Sequence, residues 1–579
     1  MVKVRATQCT SHSYVLKTPH GSLKGLEQRD LSGKAILHRF TKVPYALPPV
    51  GELRWRRPQP LPSNFAFDKS GEPGDYTEFG PVCPQPAYDH TLAQLDNPDA
   101  APPVDNVQDE DCLYVNIWVP ASPAPEGGWP VQFQIHGGWL QIGDAMQQTD
   151  HDPYDLLADT TPRIIVAPTY RLNLFGFLAG EELASLREDP SPSNYGLWDQ
   201  RVALEWTAKY ISHFGGDPKN ITVGGLSAGA NSTFFQLHYD SLLPPSQRLI
   251  RRIYLWSNAV AIQPNRATSP VLTAQFDDLC SLFSIPTTAS AHTKLALLRK
   301  VPSADLVAAI SKLKIHTFRS STDNDFIPDT FLSSLHSGSF TTRLFHSGVS
   351  VLLGEVSDEK ELYKLVNPPS THSALQVQLA NYYPKAVCDA LVRLYDIPAP
   401  HTPSATPAAY AEVFSQIVAD GQVHASLRGL THILLNPPRT NPAVRPLPPS
   451  RVHRYRISWR AAGLDAWLKP EVKVCHGGDM PIWWASGWRA DFTGADKAVA
   501  KQFLSPFGDF LYGRDVSWGR SGGGANGGSE DRLRWLDADG KIHEDHVDEL
   551  WARGMQIWDA VWEAQKASVA RDTELDSRL

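Results

Sequence analysis

The sixteen residues Phe214–Gly229, FGGDPKNITVGGLSAG, constrain this chain more than any other stretch. An apolar-alternating run ends in Gly225-Leu226-Ser227-Ala228-Gly229, a G-x-S-x-G core. The pattern reads as a short buried strand turning sharply into a helix, with glycines permitting a crowded backbone and the serine hydroxyl exposed at the strand's end. The pentapeptide alone is a weak signal: with Gly and Ser each near ~7% of residues, roughly 0.2 chance copies are expected in a chain this long. The Phe-Gly-Gly lead-in at a fixed distance multiplies that expectation by about 10⁻⁴. A chain with this turn needs a covered sheet to hold it.

Strand-like and helix-like segments alternate from about residue 10 to 260. Strands are expected at Ala35–Lys42, Tyr114–Val119, Val131–Ile135, Ile164–Pro168, Ile221–Gly225 and Arg252–Trp256. Gly196–Phe214 reads as an amphipathic helix between the fourth and fifth. Such alternation implies a mostly parallel sheet with both faces covered and its sites at the carboxyl ends of strands, where Ser227 would sit. Residues 262–450 read as a helix-rich insertion broken by proline segments, and Val351–Gly354 and Arg454–Trp459 as later strands rejoining the sheet. Ser521–Ser529, SGGGANGGS, is a flexible loop by composition. Val547, Trp551, Trp558, Val561 and Trp562 recur at helical spacing and predict a C-terminal helix docked on the body.

A serine hydroxyl needs a base, an acid to orient that base, and donors for an oxyanion. Upstream, Val131–Ile135 runs into His136-Gly137-Gly138-Trp139, an apolar strand followed by a glycine turn suited to present backbone N–H groups. Downstream, Val351-Leu352-Leu353-Gly354-Glu355-Val356-Ser357-Asp358-Glu359 offers acids, and Val474-Cys475-His476-Gly477-Gly478-Asp479 offers a histidine. His424 is a rival base, read as helix-start packing. Cys475, beside His476, reads as a small buried residue and not a second nucleophile.

Other chemistries find less support. The formal charge of −8 comes without a long basic run and argues against nucleic acid as a partner. No apolar run approaches ~18 residues, so no membrane span is expected, and the N-terminus has no secretory h-region, which points to the cytoplasm. Six cysteines lie at irregular spacings without a C-x-x-C pair, and His543-Glu544-Asp545-His546, lacking the H-E-x-x-H spacing, reads as a solvated helix start. Neither a metal nor a cofactor is expected, and the oligomeric state is open.

Taken together, Phe214–Gly229, Glu110–Pro120 (EDCLYVNIWVP), Val43–Trp55, Tyr170–Leu178 and Asn194–Gln200 resemble the type-B carboxylesterases, the group of cholinesterases and fungal carboxylesterases and lipases. The resemblance is strong over about residues 12–260 and thin beyond, except at the acid and histidine segments. It implies one α/β-hydrolase domain over 12–579, an α/β fold with a mostly parallel central sheet flanked by helices and large helical insertions after the nucleophile elbow. It implies Ser227 as nucleophile, Glu359 as triad acid (with Asp358, Glu355 and Glu361 as local rivals) and His476 as base. The oxyanion donors it implies are the N–H groups of Gly138, Trp139 and Ala228. Most members carry three glycines in that loop, whereas Trp139 stands at the third position here. Trp139 and Leu140 are therefore expected to narrow the acyl or alcohol pocket. Leu226 occupies the place where cholinesterases carry glutamate. Cys83 and Cys112 match the pair that forms the family's first disulfide loop, and without a secretory signal they are expected to lie close yet reduced. The segment between them is acidic, unlike a lipase lid. The expected substrate is a small-molecule ester, with a lactone as the alternative; a catalytically silent binding protein is the alternative from another class.

Overall fold

The computed structural model describes residues 9–68, 71–87, 106–147, 152–186, 193–259, 264–438, 441–466, 468–486, 492–516, 518 and 530–576. Its strands are β1 (Cys9–Thr18), β2 (Gly21–Asp30), β3 (Ala35–Pro44), β4 (Gly74–Asp75), β5 (Tyr114–Pro120), β6 (Trp129–Ile135), β7 (Ile164–Pro168), β8 (Gly216–Leu226), β9 (Arg252–Trp256), β10 (Ser350–Val356), β11 (Val452–Ile457), β12 (Arg532–Leu536) and β13 (Ile542–Val547). They form one sheet in the order β1-β2-β3-β5-β7-β6-β8-β9-β10-β11-β12-β13, with β4 beside β2. The seven strands from β7 to β12 in that order are parallel to one another. Antiparallel pairs extend the sheet at both edges.

Parallel strands buried on both faces are apolar along most of their length, and alternate residues feed opposite cores. In β9, Ile253 and Leu255 join one cluster, while Tyr254 and Trp256 join the other. The register also aligns the strand ends. Ile135 of β6 pairs with Gly225 of β8, Leu226 with Trp256 of β9, and Trp256 with Gly354 of β10. The segments that follow these strands therefore emerge at one edge of the central sheet.

Several expectations change. Gly196–Phe214 splits into an α-helix, Tyr195–Tyr210, and a 3₁₀ turn, Ile211–Phe214. The α-helix is not amphipathic, because it is covered on nearly every side, down to Asp199, Gln200 and Arg201. β1 and β2 lack an apolar run, and β1 is largely exposed, so the sequence pattern does not announce this edge hairpin. His543–His546 lies on β13 and not at a helix start; the Asp539-Gly540 turn reverses the chain between β12 and β13. Val547 likewise ends β13 and is 46% exposed, so the C-terminal stripe begins only at Trp551. There the helix Trp551–Asp576 buries Trp558, Val561 and Trp562 in the main core. Residues 521–529 lie outside the described residues. Among the described residues, no helix is long and apolar enough to cross a membrane.

Candidate active site

Ser227 sits between β8 and the helix Ala228–Leu242 with φ 58° and ψ −123°, a conformation that strains a non-glycine residue by roughly 1–3 kcal/mol. The surroundings enforce it. Ser227 N–H donates to Trp256 O at 2.8 Å, and the helix that follows can approach β6 only because its first turn is bare. A Cβ on Gly229 would lie 2.1 Å from Ile135 O, and one on Gly225 2.2 Å from the same oxygen. The turn leaves Ala228 as the first residue of the helix, where backbone N–H groups lack intrahelical acceptors.

The loop after β6 folds over this turn. A Cβ on Gly137 would stand 2.8 Å from Leu226 O and 3.4 Å from Ser227 Cβ. Gly138 (φ 101°), Trp139 (φ 58°) and Leu140 (φ 66°) follow in the region that favours glycine. Trp139 therefore occupies a position whose backbone asks for glycine, at a strain of roughly 1–3 kcal/mol. The loop is pinned from below: Tyr170 donates its hydroxyl to His136 O at 2.9 Å, and Asn173 N–H donates to Leu140 O at 2.7 Å. Leu140 is buried in the main core, whereas Trp139 is partly buried against it.

Across the site, Glu359 follows β10 and is fully buried. Its Oε1 accepts from Val356 N–H at 3.0 Å, and its Oε2 lies 2.6 Å from His476 Nδ1. Asp358 N–H donates to Val474 O, tying the acid segment to the histidine segment. His476 is itself buried, and its Nε2 has no hydrogen-bond partner among the described residues. The rival acids point elsewhere. Asp358 faces Lys473 at 3.6 Å and Glu361 faces Lys364 at 3.2 Å.

Glu355 anchors a different structure. It accepts from His424 Nδ1 (2.8 Å), from Arg428 (2.8 and 2.9 Å) and from Arg456 Nε (3.0 Å). Burial alone would raise its pKa, but Arg428, His424 and Arg456 hold the carboxyl well below the usual range. Arg428 and Arg456 continue to Asp548 at 2.8 and 2.6 Å. His424 therefore does more than pack at the start of a helix. It ends a π-turn, Asp420–His424, between the helices Pro407–Ala419 and Ala425–Leu435, and it ties that turn to Glu355.

Two neighbours of His476 were not assigned a role from the sequence. Tyr363 brings its hydroxyl to 3.4 Å from Nδ1; it lies four residues after Glu359, a helical spacing that could have flagged it. Asp479 is fully buried, accepts from Trp483 Nε1 at 2.8 Å and leaves Oδ1 without a partner among the described residues. Burial pushes its carboxyl up to about 7. Leu226 lies against this loop, with its Cδ2 3.6 Å from where a Gly477 Cβ would stand. Burial also pushes the Cys475 thiol up to about 12, leaving it a poor nucleophile at neutral pH. Cys83 and Cys112 are both buried and free, and Cys83 and burial push the Cys112 thiol well above its ordinary value. Most of the acidic segment between them, residues 88–105, lies outside the described residues. No three His, Cys, Asp or Glu side chains gather as a metal site among the described residues.

The sequence model of the carboxylesterase family matches residues 12–515. An uncharacterized esterase/lipase of Schizosaccharomyces pombe is 40% identical over 541 residues, covering 93% of this chain and 94% of the relative. A carboxylic ester hydrolase of Gibberella moniliformis is 35% identical over 548 residues, covering 93% and 94%. The para-nitrobenzyl esterase of Bacillus subtilis is 30% identical over 357 residues, covering 60% and 63%.

Proposed function

The chain belongs to the carboxylesterase family and is a carboxylic ester hydrolase, and on that premise we propose that it works through an acyl-enzyme on Ser227. The observation that carries this reading is the 2.6 Å contact of His476 Nδ1 with Glu359 Oε2, at the sheet edge where the strained Ser227 turn also emerges. Glu359 fixes the histidine tautomer, leaving Nε2 to serve the serine.

Ser227 Oγ attacks the ester carbonyl carbon while His476 Nε2 takes the hydroxyl proton. The carbonyl oxygen becomes an oxyanion facing the N–H groups of Gly138, Trp139 and Ala228, each worth ~2.7–4 kcal/mol to the transition state. The C–O bond to the alcohol breaks, and His476 returns the proton to the leaving alkoxide. Water, deprotonated by His476, then attacks the acyl carbon and releases the acid and the free serine. A lactone is a cyclic ester, and the same steps open it. Residues 12–579 act as one α/β-hydrolase unit in this reading.

Ser227→Ala, assayed on 4-nitrophenyl esters of increasing chain length, is expected to lower kcat by about 10⁴–10⁶-fold with the melting temperature preserved. Near-wild-type turnover by that variant would overturn the assignment. A phosphonate that labels serine nucleophiles should attach at Ser227 and at no other serine.

A further inference from the structure

Arg319 stands beside the oxyanion loop, and no charge among the described residues matches it. Phe318, the residue before it, is clamped to that loop from both sides. Gln141 Nε2 donates to Phe318 O at 2.6 Å, and Phe318 N–H donates to Gln141 Oε1 at 3.0 Å. The half-buried Arg319 side chain donates through Nε to Asn381 O at 2.5 Å. Its guanidinium lies 5.0 Å over the Tyr382 ring. Tyr382 meets Tyr363 edge-on at 6.5 Å, and Tyr363 meets His476 at 5.2 Å; the Trp139 indole faces the Tyr382 hydroxyl. Arg319 is thus one link of an aromatic wall that runs from the oxyanion loop to the base.

Burial lowers the pKa of the guanidinium, and the phenols of Tyr382, Tyr383 and Tyr363 that surround it are held neutral by their own burial. No carboxylate pairs with it among the described residues, and Nη2 is buried with no partner among them. Elsewhere buried arginines are matched: Arg171 by Asp199, Arg201 by Asp240, Arg428 by Glu355 and Asp548. Arg39, Arg163, Arg252 and Arg343 also lack a carboxylate partner among the described residues, but Arg39 reaches Thr77 O, Arg163 spends its donors on Gln132 and Thr161, Arg252 on Thr222 and Asn220, and Arg343, whose Nη2 is likewise without an acceptor among them, reaches Ser241. None of the four adjoins the oxyanion loop. A buried guanidinium edge with no acceptor is costly, and the group that best satisfies its planar fork is a carboxylate.

We propose that Arg319 recognises a carboxylate on the substrate, so that the preferred ester carries a free carboxylate on its acyl or its alcohol part. The proposal rests on the ester-hydrolase reading above and narrows its substrate class to anionic esters. Arg319 contributes recognition and takes no proton in the reaction.

Two matched pairs of esters test it with the full chain. 4-Nitrophenyl hemiadipate against 4-nitrophenyl hexanoate places the charge on the acyl side; 4-acetoxybenzoate against its methyl ester places it on the alcohol side. The wild type should prefer the anionic member of one pair. Arg319→Gln should lower kcat/KM for that member by ~10–100-fold, chiefly through KM, as loss of a charged hydrogen bond predicts. The neutral partner should change by less than about threefold, and Arg319→Lys should recover part of the loss. Equal losses on both members would reduce Arg319 to a structural clamp on Asn381 and overturn the proposal. So would a wild type that hydrolyses the neutral esters and rejects both anionic ones. Failure to turn over any of the four would sink the ester reading itself. Should Arg319→Gln not fold, inhibition of the wild type decides: hexanoate or 4-hydroxybenzoate must inhibit more strongly than the corresponding amide, and equal inhibition overturns the proposal.

Discussion

The two halves of the site are held in place by different physics. On the side of Ser227, the proposed nucleophile, β6, β8 and the loop over them are fixed by backbone packed against backbone. Gly225 and Gly229 face Ile135 O at separations that no side chain could share. On the side of Glu359 and His476, the proposed acid and base, β10 and β11 present their loops from a platform of buried charge. Glu355 and Asp548 are bridged by Arg428 and Arg456, with Arg428 alone 120 positions from Asp548. Glu355 lies on β10, four residues before Glu359, so one strand and the turn after it carry both the platform and the proposed acid. Close packing is insensitive to pH and salt, whereas a buried ionic platform is sensitive to the loss of any member. One side of the site is rigid by shape and the other by charge balance.

The largest effect should come from breaking the platform. Arg428→Met leaves two buried carboxylates short of a partner and is expected to cost about 3–5 kcal/mol of stability, read as a fall in denaturation midpoint. If kcat collapsed with stability unchanged, the platform would belong to the chemistry and the contrast would fail. Next comes Gly229→Ala, whose methyl meets Ile135 O and His136 O. Overpacking of about 1–3 kcal/mol is expected, with a disproportionate loss of kcat because Ser227 and the oxyanion loop move together. A variant with normal kcat would show that shape is not what holds the nucleophile side.

The smallest effect is a slope. The Asp479 carboxyl is raised to about 7, so the folded state holds a proton that the unfolded chain has released above its ordinary pKa near ~4. Its stabilising contribution is therefore complete below that value and is lost as pH rises to about 7, at no more than ~1.4 kcal/mol per pH unit. Asp479→Asn should remove this slope from a melting series between pH 4 and 8. An unchanged slope would assign the proton to another group.

How much could be read in advance follows the same division. The elbow, the glycine turn after β6 and the six strands around them are local patterns, and each was legible because a strained turn or a doubly buried strand admits few residue types. His424 does stand at a helix start, but nothing near it in sequence announces its partner Glu355, 69 positions away. The strand carrying His543 and His546 was taken for a helix start, since its exposed alternation of His and acid residues carries no apolar period. Tyr363, Asp479 and Arg319 went unassigned because a lone polar residue in a helix or loop has no pattern until its neighbours are known.

The sequence by itself determined that a serine would be presented on a strand-to-helix turn, with glycine-rich backbone upstream and an acid and a histidine to follow. These are demands of local sterics and chain order. Only the tertiary structure decided that Glu359 rather than Glu355 meets His476, that Trp139 stands at positive φ, and that Arg319 stands uncompensated beside the oxyanion loop. Burial and charge balance arise between segments distant in the chain, and they exist only once the sheet has brought those segments together.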